Sequence, residues 1–321
     1  MIKKIGVLTS GGDAPGMNAA VRSITRYAIH NGIDVEGIHR GYEGLLLEDT
    51  EPLFRRTVGG MIHRGGTMLR TARSLEFKQP SAQLKAIGFM HKIGIEALVV
   101  IGGDGSMAGA QCLSKLGFPT VTLPGTIDND MAGTQYTIGF DTTLNTILDA
   151  VNKIRDTANS HGRVAIVEVM GRCAGFIALH AGLACGAEFA LLPEKPVSLE
   201  DLCMSLSDSH KDGKLSSIVI VAEGAPVDGR AVMSYIKEHT YLEPNLTVLG
   251  YLQRGGAPSA KDSIMASLMA EKAVQSIMEG QYDVLVGAID GKIVATPYAD
   301  ASKMKFRIDE NMYQLLNILG A

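Results

Sequence analysis

The sequence has no tryptophan, only 5% aromatic residues, and four cysteines in 321 residues. None of the cysteines (Cys112, Cys173, Cys185, Cys203) falls in a C-x-x-C pair. That speaks against a zinc cluster and a disulfide framework, and a reducing, cytoplasmic setting is the expectation. A basic excess is also missing: 30 Lys and Arg face 34 Asp and Glu, for a net charge of −4, so no nucleic acid is expected as a partner. No apolar run is long and uninterrupted enough for a bilayer, and no membrane partner is expected. The longest, Gly175 to Leu192, carries His180 and Glu188 and is rich in glycine and alanine, so it predicts a buried helix and strand. Met1 to Gly6 lead straight into a strand-like run without a signal-peptide core. Also absent is G-x-x-x-x-G-K-S/T, which excludes a Walker-type nucleotide loop.

What the sequence has in surplus is glycine: 37 residues, where an average usage of about 7% gives roughly 22. No G-X-Y period or low-complexity tract accompanies it, so collagen-like and disordered chains are excluded. The surplus points instead to tight turns in which backbone comes close to something.

Short apolar runs recur between amphipathic helical stretches: Ile5 to Leu8, Ala97 to Ile101, Thr120 to Leu123, Val164 to Met170 and Ile218 to Ala222. The pattern predicts strands buried on both faces of a parallel sheet, in an α/β chain long enough for two domains. A helix capped by Asn18 is expected after the first strand, with Val21, Ile24 and Ala28 on one face and a stop at Asn31-Gly32. Another carries Leu144, Ile147, Leu148, Val151 and Ile154 at 3/4 spacing. Val284 to Ile289 and Lys292 to Thr296, joined by Asp290-Gly291, predict an antiparallel hairpin with a type I′ turn, which makes the sheet mixed at one edge.

The chemistry-bearing residues fall at the carboxyl ends of these strands, where open parallel sheets bind ligands. Thr9 to Gly16 is a glycine turn between a strand and a helix start, suited to phosphate. Gly102-Gly103-Asp104-Gly105-Ser106 is a second such turn. Gly103, Gly105 and Ala108 also satisfy G-x-G-x-x-A, a weak dinucleotide signal that keeps a nicotinamide-dependent oxidoreductase in view. Asp104 between the glycines suits a metal–triphosphate site better than a bare pyrophosphate. In Pro124-Gly125-Thr126-Ile127-Asp128-Asn129-Asp130, two carboxylates stand two residues apart. One can orient a metal while the other accepts a proton, as phosphoryl transfer requires, although a lone D-x-D is commonly a solvated loop. Arg172 after Met170-Gly171 can offset phosphoryl charge, and Glu223 can accept hydrogen bonds from sugar hydroxyls. Gln253-Arg254-Gly255-Gly256 reads as an anion-binding turn.

With these motifs in order along nearly the whole chain, the sequence resembles the bacterial 6-phosphofructokinases. The carrying segments are LTSGGDAPGMNAA (Leu8 to Ala20), VVIGGDGS (Val99 to Ser106), LPGTIDND (Leu123 to Asp130), VEVMGR (Val167 to Arg172), VAEG (Val221 to Gly224) and VLGYLQRGG (Val248 to Gly256). The resemblance implies two Rossmann-like α/β domains with largely parallel sheets flanked by helices: a larger ATP-binding domain from residues 1–138 plus 251–305, and a smaller sugar-phosphate domain from 139–250 plus 306–321. It implies transfer of the γ-phosphoryl of ATP to the 1-hydroxyl of fructose 6-phosphate, with Mg²⁺ as cofactor, in a cytoplasmic homotetramer.

Carried over by position, Asp128 is the expected base, Thr126 lies beside the transferred phosphoryl, and Arg172 stabilises the transition state. Asp104 holds Mg²⁺ with support from Asp130. Gly12, Tyr42, Arg73, Ser74, Gly103, Asp104, Gly105 and Ser106 are expected at ATP. Thr126, Ile127, Met170, Gly171, Glu223, Asn245, Tyr251 and Arg254 are expected at the sugar phosphate, with Arg163 reaching in from a neighbouring subunit. Gly105 and Gly125 stand where pyrophosphate-dependent members carry Asp and Lys, which implies ATP as donor. Arg22, Arg26, Arg55, Arg155, Glu188 and Lys214 match an allosteric site for ADP, GDP or phosphoenolpyruvate. The pattern departs at Ser74, where relatives often have an aromatic, and at Asp212, where they often have Lys. It also departs at Asn245 and Tyr251, where an Arg and a His grip the substrate's 6-phosphate. Losing a charge-assisted hydrogen bond costs about 1.5–3 kcal/mol. Weakened fructose 6-phosphate binding, another sugar-phosphate acceptor or a regulatory subunit is the alternative expectation.

Overall fold

A computed structural model describes residues 2–196 and 198–320. The elements begin with β1 (Lys4–Ser10), α1 (Met17–His30), β2 (Asp34–Ile38), α2 (Tyr42–Leu47), β3 (Thr50–Leu53), α3 (Pro80–Lys92), β4 (Ala97–Gly102), α4 (Asp104–Lys115) and β5 (Thr120–Pro124). Next come α5 (Phe140–His161), β6 (Val164–Val169), α6 (Phe176–Cys185), β7 (Phe189–Leu191), α7 (Leu199–Lys211), β8 (Ser217–Ala222), α8 (Gly229–His239) and β9 (Pro244–Val248). The last are α9 (Ala260–Met278), β10 (Val284–Ile289), β11 (Lys292–Pro297), α10 (Tyr298–Ala301) and α11 (Glu310–Gly320). They form two compact units. One comprises Met1–Ile127, Met131–Thr142 and Arg254–Phe306; the other comprises Asp128–Asp130, Thr143–Gln253 and Arg307–Ala321.

The first unit holds a seven-stranded sheet in the order β11-β10-β5-β4-β1-β2-β3. Its interior strands are parallel, and β1, β4 and β5 are almost wholly buried, which is why they read as continuous apolar runs. At the hairpin Asp290 and Gly291 both adopt positive φ, 50° and 75°, as a type I′ turn requires. The sheet is mixed at both edges, not one, because β3 pairs antiparallel with β2. Its four residues, TEPL, include a proline, tolerated on an edge strand but invisible as a β pattern. The expected Asn18 cap is also corrected. α1 starts behind Gly16, which has φ 101°, and Asn18 lies buried inside the helix. Its amide donates to the carbonyls of Arg64 and Gly65 and its oxygen accepts from Met68 N–H, so it secures a loop 46 to 50 residues away.

The second unit holds a four-stranded parallel sheet, β7-β8-β6-β9. Ile166, Leu202, Leu206, Val219, Val221, Val232 and Ile236 form its core between sheet and helices. The apolar stretch Gly175 to Leu192 becomes α6 and β7, and among the described residues no helix is long and apolar enough to cross a membrane.

Candidate active site

In the first unit two glycine turns meet beyond β1 and β4. A Cβ on Gly102 would come within 2.4 Å of both the Ser10 carbonyl and Ser106 Oγ, so only glycine lets the turns close up. Thr71 Oγ1 donates to the Gly11 carbonyl at 2.7 Å, and the Arg254 guanidinium lies against Gly12, 3.3 Å from where a Cβ would stand. Asp104 occupies the first turn of α4 and is exposed, with exposed Gly105 beside it. Anionic ligands favour such a helix start and its backbone N–H groups.

Tyr42 supports this turn from beneath. Its ring is buried and stacked on Phe77 with centroids 4.2 Å apart, Gly109 packs against its edge, and its hydroxyl donates to the Ser106 carbonyl at 2.5 Å. Ser74 Oγ accepts from Phe77 N–H at 3.2 Å, and Arg73 next to it is exposed. Phe77 was not singled out from the sequence, and an aromatic three residues after Ser74 was the available signal.

Past β5, Gly125 N–H donates to the Gly102 carbonyl at 3.0 Å, tying this loop to the second glycine turn. Thr137 Oγ1 donates to the Thr126 carbonyl at 2.7 Å, and Thr126 Cβ lies 3.7 Å from where a Cβ on Gly103 would stand. Ile127 is buried.

The second unit carries the paired carboxylates. Asp128 is only 2% exposed, and Asn129 at φ 54° turns the chain so that Asp130 is half-buried. Burial pushes the Asp130 carboxyl above its usual value, partly offset by a backbone hydrogen bond and by Arg172. Arg172 Nε lies 3.2 Å from Asp128 Oδ2. Its backbone is left-handed, with φ 52°. Glu223 holds that conformation: its Oε1 accepts from the N–H groups of Gly171, at 3.2 Å, and Arg172, at 2.8 Å. A Cβ on Gly224 would stand 1.9 Å from the Arg172 carbonyl, so the two strand-end turns are also interlocked. Met170 N–H donates to Oε1 of fully buried Gln253 at 3.1 Å, a support where the sequence suggested part of an anion-binding turn. Asp128, Arg172 and Glu223, which lie far apart in the sequence, thus form one chain of contacts.

Arg163 pairs with Glu243 at 3.4 Å and, with Lys153, Asn245 and Thr247, lines a cavity of about 290 Å³. Tyr251 is 79% exposed in a short 3₁₀ turn, Gly250–Arg254. Among the residues expected to bind an effector, Arg22 and Arg26 lie on α1 of the first unit, and the Arg26 guanidinium donates to the Arg55 carbonyl at 3.4 Å. Arg155, Glu188 and Lys214 lie in the second unit. There Lys214 pairs with the buried Glu188 at 2.6 Å, Glu188 also accepts from Ile218 N–H, and Arg155 donates to the Cys185 carbonyl.

The chain belongs to the phosphofructokinase family, whose model matches residues 4–277. It is 50% identical over 320 residues to ATP-dependent 6-phosphofructokinase 1 of Clostridium perfringens, covering 99% of this chain and 100% of that one. It is 52% identical over 316 residues to an ATP-dependent 6-phosphofructokinase of Bacillus thuringiensis, covering 98% of each. The solved phosphofructokinase of Saccharomyces cerevisiae matches with a TM-score of 0.88 and 36% identity over 94% of this chain, which spans 45% of the yeast one.

Proposed function

We propose that the chain is an ATP-dependent 6-phosphofructokinase, which phosphorylates the 1-hydroxyl of fructose 6-phosphate to give fructose 1,6-bisphosphate in glycolysis. The observation that supports this most directly is the buried Asp128 paired with Arg172, in a chain about half identical to relatives bearing that name.

In this reading the first unit is the ATP-binding domain. Gly12, Arg73, Ser74 and the turn Gly103 to Ser106 hold ATP, and Tyr42 braces that turn through Ser106. Among the described residues no group of three or more His, Cys, Asp or Glu is placed to hold a metal. Mg²⁺ fits nonetheless, because it is usually held by one or two carboxylates while phosphates and water complete its shell. Exposed Asp104 at the head of α4 suits that role, with Asp130 in support. When bound, the ion neutralises charge on the phosphate chain.

Asp128 and Arg172 of the second unit carry the chemistry. Asp128 takes the proton from the sugar hydroxyl as its oxygen forms a bond to the γ-phosphorus and the bond to the ADP oxygen breaks. Protonation removes the negative charge that holds Arg172, so the guanidinium is released toward the phosphoryl oxygens as their charge shifts. Thr126 and Ile127 flank the transferred group. Met170, Gly171, Glu223 and Arg254 hold the sugar phosphate, joined by Arg163 of a neighbouring subunit in a cytoplasmic homotetramer. Arg22, Arg26 and Arg55 of the first unit, and Arg155, Glu188 and Lys214 of the second, are the residues assigned to binding an effector, a nucleoside diphosphate or phosphoenolpyruvate.

The test is a steady-state assay with ATP, Mg²⁺ and a panel of sugar phosphates. Fructose 6-phosphate is expected to be turned over, with a KM raised by Asn245 and Tyr251 above the usual enzyme range of about 1 μM–1 mM. Better turnover of another sugar phosphate would replace this acceptor. Asp128→Ser is expected to lower kcat by about 10²–10⁴-fold, the usual contribution of a positioned base, while ATP still binds. Near-normal turnover by this variant would remove Asp128 from the mechanism.

A further inference from the structure

Away from the residues assigned above, one buried carboxylate gathers an unusual number of donors. Asp262 lies in the first turn of α9 and is fully buried. Its Oδ1 accepts from the Tyr136 hydroxyl at 2.6 Å and from Gly139 N–H at 2.8 Å. Its Oδ2 accepts from Thr142 N–H at 2.8 Å and from Thr142 Oγ1 at 2.5 Å. Ser259 caps the same helix by accepting from Asp262 N–H, and its own N–H donates to Thr142 Oγ1 at 2.9 Å. A carboxylate is the side chain that satisfies four donors here, because each oxygen accepts two hydrogen bonds. An amide in its place would turn one donor against another.

The segment held by Asp262 is the one on which the loop after β5 rests. Ile138 N–H donates to the Pro124 carbonyl at 2.8 Å, and Ile138 bridges to Gly125. Thr137 Oγ1 bonds the Thr126 carbonyl. Gly139 sits so close that a Cβ on it would stand 2.7 Å from Ala14 Cβ and 3.4 Å from Ile127 Cγ2. A Cβ on Gly16, at the end of the first glycine turn, would come 2.6 Å from Ile138 Cγ2 and 3.6 Å from Asp262 Cβ. One carboxylate therefore sets residues 136–142, and these touch both the first glycine turn and the residues just before Asp128.

Resting on the kinase reading, we propose that Asp262 is a positioning residue for phosphoryl transfer: through Tyr136, Gly139 and Thr142 it fixes the placement of Thr126 and Ile127, the residues next before Asp128 in the chain. It touches neither substrate nor Mg²⁺. Its effect belongs to the chemical step, where a displacement of about 1 Å can cost 10²-fold.

Two variants test this. Asp262→Asn keeps size and shape but opposes Thr142 N–H with another donor, and Tyr136→Phe removes a single bond at the rim of the network. Each is measured for kcat per folded subunit, KM for ATP, affinity for a fluorescent ATP analogue, and melting temperature. In Asp262→Asn, kcat is expected to fall about 10- to 100-fold with nucleotide affinity and KM for ATP within about threefold of the parent. Tyr136→Phe is expected to lower kcat in the same sense by a smaller factor. A fall in melting temperature with unchanged kcat per folded subunit would overturn the proposal, as would loss of nucleotide affinity in step with kcat. If Asp262→Asn does not fold, the kcat of Tyr136→Phe decides. Absence of fructose 6-phosphate turnover in the unaltered protein would instead defeat the kinase reading.

Discussion

Gly102 and Gly105, three residues apart, have opposite reasons to be glycine. A Cβ on Gly102 would collide with Ser10 and Ser106, whereas a Cβ on Gly105 would meet nothing within 4 Å. The fold therefore has room for a side chain at 105, and in the proposed ATP site the constraint there comes from the phosphates. Gly105→Asp is expected to leave the melting temperature within about 1 °C, as surface changes usually do. It is expected to raise KM for ATP at least about 10-fold by like-charge repulsion, the effect of roughly 1.4 kcal/mol. Thermal melts and ATP saturation curves check this, and an unchanged KM would mean that position 105 does not face the phosphates. Residues of this kind could be proposed from the sequence because phosphate and proton chemistry limits which side chains can serve. The structural roles of Asn18, Phe77, Gln253 and Asp262 could not, since they lie in partners that only the fold brings close. Gln253 meets Met170 across 83 positions, and Asp262 meets Thr142 across 120.

At the scale of elements, the buried parallel strands announced themselves through unbroken apolar runs, while the short edge strand β3 offered no periodicity. Nor did the sequence reveal how α10 is fastened to the sheet. Tyr298 begins this helix and is buried, and its hydroxyl lies 3.1 Å from Thr120 Oγ1 and 2.8 Å from Thr122 Oγ1 on β5. Burial above all pushes its phenol up to about 12, although the two threonine hydrogen bonds act against it. The folded state thus holds this proton more tightly than the unfolded chain, where a tyrosine titrates near 10. Its contribution to stability is complete below pH 10 and is lost as the pH rises toward 12. Denaturant midpoints measured from pH 8 to 12 are expected to fall above pH 10. The fall should be shallower in Tyr298→Phe, and identical slopes in the two proteins would refute this assignment. Buried Tyr136 and Tyr42, whose phenols are also pushed up, keep part of the slope in both.

At the scale of the molecule, the chain weaves between its units: the glycine turns belong to the first, and Asp128, Arg172 and Glu223 to the second. Each unit has its own sheet and core, whose buried strands the apolar runs made legible. The interleaved boundaries follow from contacts that composition does not encode. The pair between Arg172 and Asp128 has a further meaning for such a kinase. In the proposed mechanism Asp128 is the base, and with ATP bound and no sugar present its Oδ2 stays engaged by Arg172 and not by water. Idle ATP hydrolysis is then expected to be far slower than sugar phosphorylation. Arg172→Ala should raise the ratio of phosphate release to sugar phosphorylation, and a lower ratio would contradict the idea. In that reading the Arg172–Asp128 contact guards bound ATP against waste.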